Sequence, residues 1–92
     1  MSIANDGAVR GVIIDKETNK PIPFAEAILL QDNVKVGAAV ADHRGIFIIK
    51  PAAPGHCELE TISLGYETVQ TKVLVESYIT TSVGTVKMSP KN

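Results

Sequence analysis

The sequence predicts an all-β protein, an antiparallel Greek-key β-sandwich of about seven strands. Two observations carry this. No segment of the 92 residues sets apolar side chains at i, i+3, i+4 and i+7 for three turns between a cap and a stop, so helical periodicity is missing. Short runs rich in Val, Ile and Thr recur instead about every ten residues, each closed by Gly, Pro, Asn or Asp.

The candidate strands are residues 8–14, 25–31, 36–41, 46–50, 57–64, 68–75 and 83–89. Their boundaries have mechanisms. After the first strand comes a polar turn, Asp15-Lys16-Glu17-Thr18-Asn19-Lys20. Pro21 and Pro23 then fix φ and push their predecessors into extended geometry, so the second strand is entered stretched. Asp32-Asn33 reads as a hairpin turn, with Asn33 suited to a left-handed position. Asp42-x-x-Gly45 supplies a carboxylate that accepts from the turn backbone and a residue free to take φ > 0. Residues 51–55, with Pro51, Pro54 and Gly55, form a rigid connection.

Alternation assigns faces. Val69, Thr71, Val73 and Val75 interleave with Gln70 and Lys72 and point inward, as do Cys57, Leu59 and Thr61 between Glu58 and Glu60. Phe47, Ile49, Val86 and Met88 complete the expected core. Tyr66, after Gly65, stands where a tyrosine corner would, its ring packed and its hydroxyl bonded to nearby backbone. Three strands are apolar on both faces, more than a two-layer sandwich needs. Two readings stand: β-branched residues suit strands even on a solvated face, or the outward members, Ile14, Ile28, Leu30, Ile46 and Ile48, form a candidate interaction patch for a neighbouring domain or a partner protein.

Length and charge narrow the function. A chain of 92 residues has room for one domain, expected to fill residues 1–92 with its core over 8–90. The net charge of -1, with both signs scattered, gives no attraction to nucleic acid or to an anionic membrane surface. Residues 1–7 have neither a basic nor an apolar region and do not read as a signal peptide, and no run approaches the roughly 20 apolar residues of a membrane helix. The chain reads as soluble, without direct membrane insertion, and its start is equally compatible with a segment cut from a longer exported protein.

No arrangement for chemistry stands out, and neither a cofactor nor a metal is expected. Cys57 is the only cysteine, so it has no disulfide or CxxC partner. A His56–Cys57 dyad fails because neighbouring strand residues point to opposite faces. His43 and His56 lie at turns, and Asp15, Asp32 and Asp42 are dispersed through separate turns rather than clustered as a calcium loop requires. Residues 8–14 hold no lysine for an isopeptide crosslink to an asparagine.

Taken in order, Val9-x-Gly11-x-Ile13-x-Asp15, Thr18-Asn19-Lys20-Pro21-Ile22-Pro23-x-Ala25, Ala41-Asp42-x-x-Gly45-x-Phe47-x-Ile49, Pro54-Gly55, Leu59, Gly65-Tyr66 and Val86-x-Met88 resemble the carboxypeptidase regulatory-like domain family. The match runs from Val9 to Pro90. It departs from the family pattern at Asn19 and Phe24, where glycine is usual, and at Ala41, where threonine is usual. The resemblance implies a transthyretin/prealbumin-like sandwich and a non-catalytic accessory module, not an enzyme. Such modules sit beside metallocarboxypeptidase domains or at the N-terminus of TonB-dependent outer-membrane receptors. A periplasmic or outer-membrane-associated setting follows as an expectation. The alternative is a carbohydrate- or peptide-binding module, for which the four aromatics Phe24, Phe47, Tyr66 and Tyr78, without Trp, give a poor stacking platform. The chain also lacks the C-terminal Tyr-Arg-Gly-Ser of transthyretin-like hydroxyisourate hydrolases, ending Ser89-Pro90-Lys91-Asn92.

Overall fold

The structure, a computed structural model, describes residues 5–92; residues 1–4, part of the stretch read as no signal peptide, lie outside the described residues. Seven strands follow one another: β1 (Gly7–Asp15), β2 (Glu26–Gln31), β3 (Val34–Val40), β4 (Ile46–Ala52), β5 (Gly55–Ile62), β6 (Val69–Val75) and β7 (Thr80–Met88). They form two facing sheets, a three-stranded one in the order β4-β1-β7 and a four-stranded one in the order β3-β2-β5-β6. All pairs are antiparallel except β1 with β7, which is parallel. That pairing corrects the expectation of an antiparallel sandwich in one place: β1 and β7 are the first and last strands, and the whole sandwich forms the connection between them.

Four strands begin earlier than their sequence suggests, β1 by a single residue. Thr80, Thr81 and Ser82 join β7 because they pair with Ala8, Val9 and Arg10, and threonine suits a pleated edge despite its polarity. β3 starts at Val34 directly after the turn, where Asp32 and Asn33 both take left-handed φ, 52° and 64°. The rigid connection expected over 51–55 shrinks to Ala53-Pro54, since β4 runs to Ala52 and β5 starts at Gly55.

The core lies where alternation puts it. Val9, Ile13, Phe47 and Ile49 point inward from one sheet and Ala27, Leu29, Cys57, Leu59, Thr61, Val73 and Val75 from the other, with Val86 and Met88 closing the end of β7. Phe47 is the largest fully buried side chain. Its position depends on a missing one: Gly11 is its register partner, and a Cβ there would lie 2.7 Å from Phe47 Cζ and 2.6 Å from Val83 Cγ2. The phenyl ring occupies the space that any side chain on Gly11 would need.

The turns tie the sheets together at one end. Asp42 Oδ1 accepts the N–H groups of Arg44 and Ile46 at 2.8 and 3.0 Å, and Gly45 closes the turn at φ 75°. The Gly45 carbonyl accepts the Ile13 N–H at 2.8 Å, fixing the β3–β4 turn to the middle of β1. Asn19 and Phe24, the two places where this chain departs from a usual glycine, have φ of 61° and 65°. The glycine-like backbone is therefore retained with side chains that disfavour it. Asparagine tolerates that region, whereas a bulky aromatic there is strained by about 1–2 kcal/mol.

Two predictions follow from this packing. Phe47→Ala should lower unfolding free energy by about 3–5 kcal/mol and Gly11→Ala by about 1–3 kcal/mol in chemical denaturation. A loss below about 1 kcal/mol in both would show that the ring is not held as described. Phe24 is 73% exposed and buries little to offset its backbone strain. Phe24→Gly should accordingly stabilise the fold by about 0.5–1 kcal/mol, the relieved strain exceeding the glycine's extra unfolded entropy. A destabilised variant would mean that the ring makes contacts outweighing the strain.

Candidate functional site

Three features carry the polar chemistry and free apolar surface of the sandwich: a buried carboxylate at one end, and the outer faces of the two sheets. The carboxylate is Asp15, the last residue of β1 and almost fully buried. Its Oδ1 accepts the N–H groups of Glu17 and Thr18 at 2.7 and 3.0 Å, and its Oδ2 accepts the Tyr66 hydroxyl at 2.7 Å. The Tyr66 hydroxyl first, and the Thr18 N–H next, hold the carboxyl below its ordinary 3.8. The same bond pushes the Tyr66 phenol up, so it stays a donor. Tyr66 does form a corner, but the expectation that its hydroxyl bonds backbone is corrected: the acceptor is a side chain on the first strand, 51 residues earlier. Almost fully buried and holding three hydrogen bonds, Asp15 clamps the β1–β2 and β5–β6 connections and is not presented to a substrate.

The five residues of the expected patch do not lie together. Ile14 on β1 and Ile46 and Ile48 on β4 face outward from the three-stranded sheet, whereas Ile28 and Leu30 on β2 face outward from the four-stranded sheet. The two outer faces of a sandwich point in opposite directions, so one flat partner cannot cover both sets. Only Ile48, at 52%, is among the large exposed apolar residues; the other four are half-buried. This corrects the single patch to two surfaces.

Register shows what each surface offers. On the three-stranded sheet Val12 pairs with Ile46 and Arg10 with Ile48, while Ile14 is beside Lys87 of β7. Val12, Ile14, Ile46 and Ile48 thus make an apolar centre, with Arg10, Lys50 and Lys87 around it and no carboxylate at an outward strand position. On the four-stranded sheet the pairs Glu26–Ile62, Ile28–Glu60 and Leu30–Glu58 run across β2 and β5, so three carboxylates alternate with three apolar side chains. Lys72 and Lys35 stand on the outer strands β6 and β3. An open groove of about 640 Å³ lies at the hairpin end of this face, lined by Leu30, Asp32, Asn33, His56, Cys57, Glu58, Lys72, Val73 and Leu74.

Cys57 and His56 border the groove, but they form no activated nucleophile. Cys57 points into the core and His56 out, as neighbouring strand residues must. Burial first, and the Asp32 carboxylate second, push the Cys57 thiol up, away from the thiolate that chemistry needs. Among the described residues no three His, Cys, Asp or Glu side chains gather as a metal site. The exposed aromatics are not at the groove either. Phe24 bonds the β3–β4 turn through its N–H to Ala41, and Tyr78, 75% exposed, bonds Asp6 before β1, so they mark opposite ends of the sandwich. Sequence reasoning missed the groove, although one signal was present: Leu74 follows Gln70 and Lys72 at the outward positions of β6 and is half-exposed.

This geometry defines a seven-stranded β-sandwich module. The chain belongs to the CarboxypepD_reg-like domain family, whose model matches residues 9–92. A search of curated proteins finds no match. Among solved structures it is similar to the minor pilin GBS52 of Streptococcus agalactiae, at TM-score 0.74 and 20% identity over 98% of this chain and 47% of the pilin. A candidate carbohydrate binding protein from Bacteroides uniformis gives TM-score 0.71 and 11% identity over 94% of this chain and 42% of the other. Hydroxyquinol 1,2-dioxygenase from Pseudomonas putida gives 0.71 and 12% over 99% and 58%. The chain spans less than two thirds of each of these proteins. At these identities the likeness is of fold, and one sandwich serving three such proteins shows that the fold alone names no ligand.

The Asp15 clamp gives a pH prediction. Its folded pKa is depressed, so the unfolded chain binds the proton more readily; the stabilisation is full above the ordinary carboxyl value and is lost as pH falls through the folded one. Between about pH 5 and pH 2 the parent chain should therefore lose more unfolding free energy than Asp15→Asn, which has no charge to neutralise. Equal acid slopes for the two proteins in urea denaturation would contradict the clamp.

Proposed function

We propose that this chain is a non-catalytic accessory module of a larger exported bacterial protein, and that it docks through the outer face of its three-stranded sheet. The observation that carries the reading is the apolar centre of Val12, Ile14, Ile46 and Ile48. The inward positions of the same strands already hold Val9, Ile13, Phe47 and Ile49, so the core has no need of a second apolar row. Covering an exposed isoleucine contributes about 1.5–3 kcal/mol, less where the side chain is half-covered beforehand. The setting in keeping with the family resemblance is an N-terminal extension of an outer-membrane nutrient receptor, on the periplasmic side.

A second reading rests on the groove of the four-stranded sheet, whose mixed lining of Leu30, Leu74, Glu58 and Lys72 suits an extended peptide or a glycan. The absence of an aromatic side chain from that lining weighs against sugar stacking.

Replacing Ile46 and Ile48 together with Thr separates the readings. Thr keeps the β-branch, so the isolated chain should stay within about 1 kcal/mol of the parent in stability, while association with the rest of the full-length protein weakens. Unchanged association, with oligosaccharide or peptide binding seen by calorimetry and abolished by Leu74→Glu, would favour the groove instead.

A further inference from the structure

The outer faces of the two sheets are complementary to each other. One carries Arg10, Lys50 and Lys87 around an apolar centre, with Ile48 its most exposed member. The other carries Glu26, Glu58 and Glu60 on its central strands, and its groove presents Leu30 and Leu74 next to Asp32 and Glu58. Arg10 is the register partner of Ile48, and Lys50 is the next outward residue along β4, so one apolar knob is flanked by two cations. The groove offers the converse: two leucines flanked by two carboxylates, with Lys72 opposite Glu58 on β6 and His56 at the rim.

We propose that the partner of the basic apolar face is a second copy of this chain, with Ile48 of one copy seated between Leu30 and Leu74 of the next and Arg10 and Lys50 meeting Asp32 and Glu58. The proposal rests on the reading of this domain as an interaction module and names the occupant of its docking face. The contact uses different surfaces on the two copies, so it is heterologous and leaves each end free to add another copy. Both surfaces are faces of pleated sheets, which stack about 10 Å apart with interdigitating side chains. The net charge of -1 opposes such stacking little, and three cations on one face meet a face whose Glu26, Glu58 and Glu60 outnumber the Lys35 and Lys72 of its outer strands. Apolar contact holds the copies together, and the charge pattern selects this arrangement over basic face on basic face. Salt weakens it, because the charged groups lie at a solvent-exposed rim.

Sedimentation velocity on the purified chain, from micromolar to millimolar concentration and at low and high sodium chloride, tests this directly. The expected result is reversible association that grows with concentration and recedes as salt rises. Arg10→Glu with Lys50→Glu, and separately Glu58→Lys, should each lower the association constant by about tenfold or more, and mixing the two variants should restore association above either alone. Ile48→Thr, which leaves every charge in place, should weaken self-association as well and guards against a charge variant that fails to fold. A chain that stays monomeric throughout, or that associates with no response to salt or to these variants, overturns the proposal. If it does so while Ile46→Thr with Ile48→Thr still weakens association with the full-length protein, the docking face stands and its occupant is another protein.

Discussion

Phe47 against Gly11 is the constraint on which the rest of the sandwich depends. The ring fills the space between the sheets only because its partner on β1 has no side chain, and Val83 from β7 bounds the same space. This sets β4, β1 and β7 in one register, and the register decides which residues face out. Had the pairing slipped by one residue, Ile46 and Ile48 would turn inward and Phe47 and Ile49 would meet solvent. The apolar outer face and the closed inner face are thus two consequences of one packing choice.

The second constraint is electrostatic and holds the loop end. Asp15 accepts three hydrogen bonds, from Glu17, Thr18 and Tyr66, and through them joins the end of the first strand to the corner before the sixth. The C-terminal segment adds to this closure: Tyr66 bridges Pro90, and the Gly65 carbonyl accepts the Lys91 N–H at 2.8 Å. With this end locked by backbone and one carboxylate, the broad surfaces left for contact are the sheet faces.

Much of this was legible in the sequence, for local reasons. Asp42-x-x-Gly45 and Asp32-Asn33 specify their turns through residues within reach of their own backbone. Period-two alternation placed Thr61 and Cys57 inside and Glu58 and Glu60 outward. Alternation states only whether a residue points in or out of its own strand, however, and does not say which sheet receives the strand. For that reason alternation alone groups Ile28 and Leu30 with Ile14, Ile46 and Ile48, from which the topology separates them. The acceptor of Tyr66 and the parallel pairing of β1 with β7 escaped for a related reason: both join segments far apart in the chain, and no spacing rule reaches that distance. The groove arises where the hairpin end of β2 and β3 meets β5 and β6, again a product of topology.

The proposed docking role requires that the outer face of the three-stranded sheet be wet in the isolated chain and covered in the full-length protein. Methyl NMR with a soluble paramagnetic relaxation agent measures this for the Val12, Ile14, Ile46 and Ile48 side chains together. In the dilute isolated chain the account predicts strong broadening for Ile48, intermediate broadening for Val12, Ile14 and Ile46, and none for Ile13 or Ile49. In the full-length protein the broadening of those four should fall away while that of Leu64, a fully exposed loop residue, persists. Equal broadening of the four methyl groups in both states would contradict the claim.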